Sequence, residues 1–246
     1  IDDMHAHINI PAALMFARGW FERPARVTFV PPPGKKWRVA TQLFPTADPL
    51  VFTAPNIHYL MDSPTELSAQ AMRSFKVRNP DGKELTIRTA VHHDAGDAEV
   101  NEYVKGAEKI VREQGAVFGE FPEFDAGTYT FLGDYVPWGG GDGMEHRNST
   151  VVAAPVSLRT PGMVADVLDT VSHEFLHCWN VERIRPKTLE PFNFEEANIS
   201  GELWLAEGFT QYYGDLIMTR TGLSPRERGA AGLARAALSG ITDPGR

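Results

Sequence analysis

His173-Glu174-Phe175-Leu176-His177 is the stretch on which the reading of this 246-residue chain turns. It spells H-E-x-x-H: two imidazoles four positions apart, with a carboxylate directly after the first. An α-helix advances roughly 100° per residue, so positions i and i+4 stand about 40° apart on one face, one turn above each other. Both rings then reach one ion, and Glu174 projects beside it towards a metal-bound water. Zinc accepts neutral imidazole nitrogens, and a catalytic zinc site keeps one position open for water. Such a pattern counts only in the right context.

The flanking residues supply that context. Thr160-Pro161 offers an N-cap followed by proline at the first helical position, where the missing N–H costs nothing. Val164, Val167, Leu168, Val171, Phe175 and Cys178 recur at helical spacing and form an apolar stripe. His173 and His177 fall beside it, on the border between core and cleft. A catalytic zinc needs a third protein ligand. The candidate is Glu207, in Leu203-Trp204-Leu205-Ala206-Glu207-Gly208-Phe209-Thr210-Gln211-Tyr212-Tyr213, a run that predicts a second helix stopping near Gly222. A carboxylate in so apolar a turn needs a cation, because burying it alone costs several kcal/mol. That cation is a metal, or an arginine such as Arg183 or Arg185.

The run H-E-F-L-H-C-W-N-V-E-R-I-R-P, followed by L-W-L-A-E-G-F-T-Q-Y-Y-G, resembles the glycyl aminopeptidase family of the gluzincin metallopeptidases. Gly143-Met144-Glu145-His146-Arg147-Asn148-Ser149-Thr150, preceded by Gly139-Gly140-Gly141, is similar to that family's G-G-x-E-H-R-N-S-T segment. The three segments come in the family's order. The resemblance implies one zinc ion held by His173, His177 and Glu207. It implies that Glu174 is the general base, taking a proton from the zinc-bound water and delivering it to the leaving amine. Glu145 would sit on an edge strand and bind the substrate's α-ammonium group, with Gly143 and Met144 beside it. The implied activity is an aminopeptidase that removes small N-terminal residues, glycine or alanine, from peptides. Its rivals are a zinc endopeptidase with the same metal chemistry and a non-catalytic peptide-binding module that retains the fold.

General chemistry fits these roles. A zinc ion lowers the pKa of water and polarises a carbonyl, and the adjacent cation keeps Glu174 in its basic, anionic form. One departure stands out. The resemblance implies an oxyanion donor, Tyr or His, further along than Glu207, yet no tyrosine or histidine follows Asp215 before Arg246. Tyr212 and Tyr213 are poor substitutes, since they ride the ligand helix; losing such a donor typically costs on the order of 100–1000-fold in turnover. Further helices and a PDZ domain are implied beyond this point, so the sequence reads as a fragment.

The expected fold class is α+β: an N-terminal all-β domain over residues 1–94, then a thermolysin-like zinc peptidase catalytic domain, C-terminally incomplete, over 95–246. Short alternating runs at 4–10, 26–30 and 37–43 predict strands, and a hairpin pairs 71–77 with 84–91 around Asn79-Pro80-Asp81-Gly82. Beyond residue 94 the pattern predicts a helix capped by Asp97 and running to Gly115, strands at 128–132 and 150–158, and the two ligand-bearing helices. Ser224-Pro225-Arg226-Glu227 is a capping box that opens another helix. His92-His93-Asp94 reads as surface histidines, and His5 and His7 as a structural pair on one strand face. The glycines at 139–143 are no phosphate cradle, because no Lys-Ser/Thr follows them.

Hydrophobic content of 42% with 23% charged residues suits a chain able to bury a core. The net charge of −8 argues against a nucleic-acid partner. No run reaches the 18 or so apolar residues of a membrane-spanning helix; the partner the resemblance implies is a peptide substrate. The single cysteine, Cys178, forms no internal disulfide. Ile1 opens inside a strand-like pattern, so the natural N-terminus is expected to lie upstream. Compartment stays open between periplasm or exterior and cytoplasm.

Overall fold

The computed structural model describes residues 1–230 and Gly232. The chain opens with six short strands, β1 (His5–Ile8), β2 (Ala25–Thr28), β3 (Arg38–Thr41), β4 (Phe44–Pro45), β5 (Val51–Ala54) and β6 (Thr65–Ser68). Two short helices, α1 (Ile10–Ala13) and α2 (Ile57–Met61), lie among them. The strands form two three-stranded sheets, β1-β6-β3 and β2-β5-β4. Ile10, Phe29, Leu43, Phe52, Tyr59 and Leu67 belong to their common core.

A second body follows: β7 (Ala71–Arg78), β8 (Glu84–His93), α3 (Asp97–Phe118), β9 (Thr128–Tyr135), β10 (Asp142–His146), β11 (Ser149–Ala154), α4 (Met163–Leu176) and α5 (Thr210–Arg220). Its five strands run in the order β10-β11-β9-β8-β7. β8, β9 and β11 are mutually parallel, and the outer strands β7 and β10 are antiparallel to their neighbours. Parallel neighbours need a crossover, which α3 provides between β8 and β9.

Alternation along the strands sorts the two faces of this sheet. Leu85, Ile87, Val91, Tyr129, Phe131 and Val152 pack with Tyr103 and Ile110 of α3 and with Leu168, Val171 and Phe175 of α4. Residues of the opposite parity, Ala90, Leu132 and Val151, meet Ala40 of β3. The helices thus cover one face, and the N-terminal sheets sit on the other through small side chains.

Several expectations shift. The β7–β8 hairpin, expected in the N-terminal region, is hydrogen-bonded into the sheet that carries the helices, and its Val77, Leu85, Ile87 and Val91 share their core. On packing grounds we place the division near residue 70 rather than 94. The strand expected to run to Leu158 stops at Ala154, while residues 142–146 form the edge strand β10 on which the resemblance places Glu145. Helix α3 starts one residue earlier than expected: Gly96, not Asp97, is the N-cap, its N–H bonded to Glu99 at 3.0 Å, and the helix runs on to a left-handed Gly119. Residues 226–230 are helical, as the capping box predicts; the rest of that segment, apart from Gly232, lies outside the described residues.

His92 is buried, not a surface residue. Its Nδ1 lies 2.8 Å from Asp134 Oδ1, and His5 Nε2 lies 3.1 Å from Asp134 Oδ2. The two imidazoles stack with centroids 4.1 Å apart and planes 26° from parallel. A ring nitrogen's lone pair lies in the ring plane, so stacked rings cannot aim at one ion at the roughly 2.0–2.1 Å that zinc requires. This cluster is a hydrogen-bonded seam between β1 and the sheet. No helix among the described residues is long and apolar enough to cross a membrane.

Candidate active site

Helix α4 is capped by Gly162 at φ 84° rather than by Thr160. It ends at Leu176, with His177 at the C-cap in right-handed helical conformation (φ −59°, ψ −18°), so the four-residue spacing of the imidazoles is kept. The expected second helix is not regular. Trp204–Phe209 forms a π-helical turn that leads into α5, and Glu207 sits inside that turn. Single π turns occur frequently at functional sites, where they offset a side chain from the regular helical register. Gly214 lets α5 lie close against α4: a Cβ there would stand 3.4 Å from His173 Cα.

These elements bring His173, His177 and Glu207 together. The two Nε2 atoms are 3.2 Å apart. Glu207 Oε2 lies 3.2 Å from the first and 3.8 Å from the second. The edge of a tetrahedron of zinc ligands at the usual bond lengths is about 3.3 Å. The ring planes are 75° apart, so the rings are not stacked, and both Nε2 atoms lie on the side of Glu207 Oε2. His177 Nδ1 faces the Asn180 carbonyl at 2.9 Å, and His173 Nδ1 faces Gln211 Oε1 at 3.2 Å. Each ring can donate outward at Nδ1 and leave its Nε2 lone pair facing the carboxylate. A proton bridges only one pair of the three inward atoms; a divalent ion satisfies all three. The donor set and its spacing fit zinc.

The electrostatics agree. Burial pushes His173 down, but the carboxylates of Glu207 and Glu174 reverse this, and the net shift is upward. The hydrogen bond from His173 holds Glu207 below the usual carboxylate range. The arginine alternative does not hold, since Glu207 pairs with the histidines while Arg183 reaches backbone carbonyls and Arg185 reaches Glu190.

Glu174 is buried between α4 and β10. Burial, then the nearby carboxylates of Glu145, Glu207 and Asp142, push its pKa up to about 8, against a lowering influence from His173. Glu145 lies on the edge strand, and its carboxylate, that of Glu174 and a ring nitrogen of His177 all fall within 4.8 Å of one another. Gly143, two residues earlier on the same strand face, passes directly over Glu174: a Cβ there would meet its Oε1 at 2.6 Å. Met144 points to the other face and is exposed. The arrangement sets a proton-accepting carboxylate beside a three-ligand cation site, with a second carboxylate next to it.

Two supporting roles were not specified by the sequence. Asn180 offers its carbonyl to His177, and its side-chain amide donates to the carbonyls of Leu205 and Ala206 and to Thr210 Oγ1, at 2.8, 3.1 and 3.0 Å. It therefore ties one ligand to the turn that carries another. Gln211 orients His173 and is itself hydrogen-bonded to Asp215. Both follow the ligand residues by three or four positions, the only trace they leave in the sequence.

An H-E-x-x-H helix joined by a downstream glutamate defines the site of a metallopeptidase class. The family comparisons agree with that class. Residues 166–246 match the model of the M61 glycyl aminopeptidase, and residues 1–69 match that of the Peptidase M61 N-terminal domain, together more than half of the chain. The chain belongs to the M61 glycyl aminopeptidase family. Among solved structures it is similar to an aminopeptidase N family protein from Idiomarina loihiensis, at 24% identity and a TM-score of 0.77. That match covers 93% of this chain and 39% of the other. A zinc metallopeptidase from Deinococcus radiodurans matches at 16% identity and a TM-score of 0.49, over 87% of this chain and 44% of its own. The chain thus spans less than half the length of either structure. No curated protein matches it by sequence. The architecture is α+β, an N-terminal β-sheet domain followed by a peptidase catalytic domain.

Proposed function

We propose that this chain carries the active site of a zinc aminopeptidase that hydrolyses the first peptide bond of peptides with small N-terminal residues, glycine or alanine. The observation that carries the reading is the placing of Glu145 within 4.8 Å of both Glu174 and His177. A free α-ammonium group beside the reacting carbonyl needs an anionic partner, and Glu145 is the carboxylate on the substrate side that is not spent on the cation site. His173, His177 and Glu207 would hold one zinc ion, which would supply Lewis acidity, acidifying water and polarising the scissile carbonyl. Glu174 takes the proton from the attacking water and delivers it to the departing amine. A divalent ion held by the three ligands would lower the Glu174 pKa and keep it basic at neutral pH. Gly143 gives β10 the close approach that lets a peptide lie along the strand next to Glu174.

The test is hydrolysis of alanine p-nitroanilide against its N-acetyl derivative by the full-length, zinc-loaded protein. The reading predicts cleavage of the free amine and loss of activity on acetylation. Equal rates on both would assign the site to an endopeptidase, and no zinc-dependent hydrolysis of any peptide would leave a binding module.

A further inference from the structure

Adjacent residues of a strand point to opposite faces of its sheet, and on β10 that rule links the substrate cleft to the N-terminal domain. Glu145 pairs across the ladder with Thr150 and faces α4. Its neighbour His146 pairs with Ser149 and faces the other way, where Nδ1 meets Asp62 Oδ1 at 2.8 Å. Arg147 N–H donates to Asp62 Oδ2 at 3.0 Å. Asn148 N–H and Ser149 Oγ both donate to Gln42 Oε1, each at 2.8 Å. Gln42 Nε2 in turn donates to the Asp62 carbonyl, and Tyr59 Oη donates to the Gln42 carbonyl at 3.2 Å. All four residues after Glu145 are therefore held by two side chains that belong to the β-sheet domain.

We infer that Gln42 and Asp62 are positioning residues for substrate binding: they clamp the β10–β11 turn and so fix where Glu145 meets the ammonium group. The inference rests on the proposed role of Glu145. β10 is an edge strand with a single ladder partner among the described residues, so its ladder restrains it from one side alone. The clamp supplies that restraint from a domain that holds none of the ligands, which gives the N-terminal body a part in selecting free amines.

The experiment measures kcat, KM and zinc content with alanine p-nitroanilide for the full-length zinc enzyme and four variants. These are Glu145→Gln, Asp62→Asn, His146→Ala, and Glu145→Gln combined with Asp62→Asn. Losing a hydrogen bond to a charged group is worth about tenfold in affinity. Asp62→Asn and His146→Ala should each raise KM by about that much, with kcat and zinc content unchanged. Adding Asp62→Asn to Glu145→Gln should raise KM no further, because the anchor it positions is already gone. His146→Ala cuts the link from a half-buried side of the strand and reads the same split if Asp62→Asn folds poorly. A KM unchanged by His146→Ala, or effects that add to those of Glu145→Gln, would overturn the clamp alone. A KM unchanged by Glu145→Gln itself would overturn the anchor reading, and the clamp with it.

Discussion

A Cβ built on Gly143 would stand 2.6 Å from Oε1 of Glu174 and 3.1 Å from Cγ2 of Thr170. The edge strand and the metal-site helix are in contact at the one position where the strand has no side chain. That contact makes the glycine a requirement of the site rather than of a turn.

Gly143→Ala should therefore push the Glu174 carboxylate away from its working position. Misplacement of a catalytic group by about 1 Å costs on the order of 100-fold in rate. The expected outcome is a fall in kcat of that size with zinc content kept, since the atoms nearest the added Cβ belong to Glu174 and Thr170 and not to the three cation-site residues. Steady-state kinetics with parallel metal analysis check it. An unchanged kcat would mean that Glu174 does not act from this position.

Asn180 holds the turn of Glu207 through three side-chain hydrogen bonds and steadies His177 through its carbonyl. Asn180→Ala keeps the carbonyl and removes the amide. Losing such an orienting partner typically weakens metal affinity about 10–100-fold. Competition with a fluorescent zinc chelator measures this directly. Affinity equal to that of the wild type would show that the π turn stays in place unaided.

Glu182 gives a prediction in pH. Burial, and then the neighbouring carboxylates of Asp62 and Glu145, push its pKa from the ordinary 4.5 up to about 7, although Arg185 and Arg147 oppose this. A carboxyl raised in the folded state keeps a proton that the unfolded chain has already lost. Its contribution to stability is thus complete below about pH 4.5 and disappears as pH rises through about 7. Glu182→Gln holds the neutral form at every pH. The gain in urea midpoint of this variant over the wild type should be small at pH 4.5 and largest at pH 8. A gap that does not change with pH would remove Glu182 as the cause.

Much of the site could be read from the chain because its residues are local. His173, Glu174 and His177 share one helical turn, and the apolar stripe of α4 marks which face they occupy. Glu207 stood out as a charge in an apolar run expected to be buried. Its side chain is instead 51% exposed, so the desolvation argument fails and its place in the site rests on its distances to the two imidazoles. What escaped was non-local. No periodicity says that β8 pairs with β9, so the hairpin's membership of the catalytic sheet could not be read from residues 71–93. The π turn at 204–209 leaves no periodic mark distinct from an ordinary helix. His5, His92 and Asp134 lie far apart in sequence and meet only because β1 docks on the back of the sheet. Gln42 and Asp62 look like ordinary polar residues of a β-rich region until the β10–β11 turn is seated on them.

The central claim is that three side chains share one divalent ion, and zinc stoichiometry of the purified protein tests it most directly. Elemental analysis after exhaustive dialysis should find one zinc per wild-type chain and almost none in His177→Ala, with Glu207→Gln losing its metal to mild chelation. A wild-type chain free of zinc after zinc loading, or a His177→Ala variant that binds it as tightly as the wild type, would contradict the account.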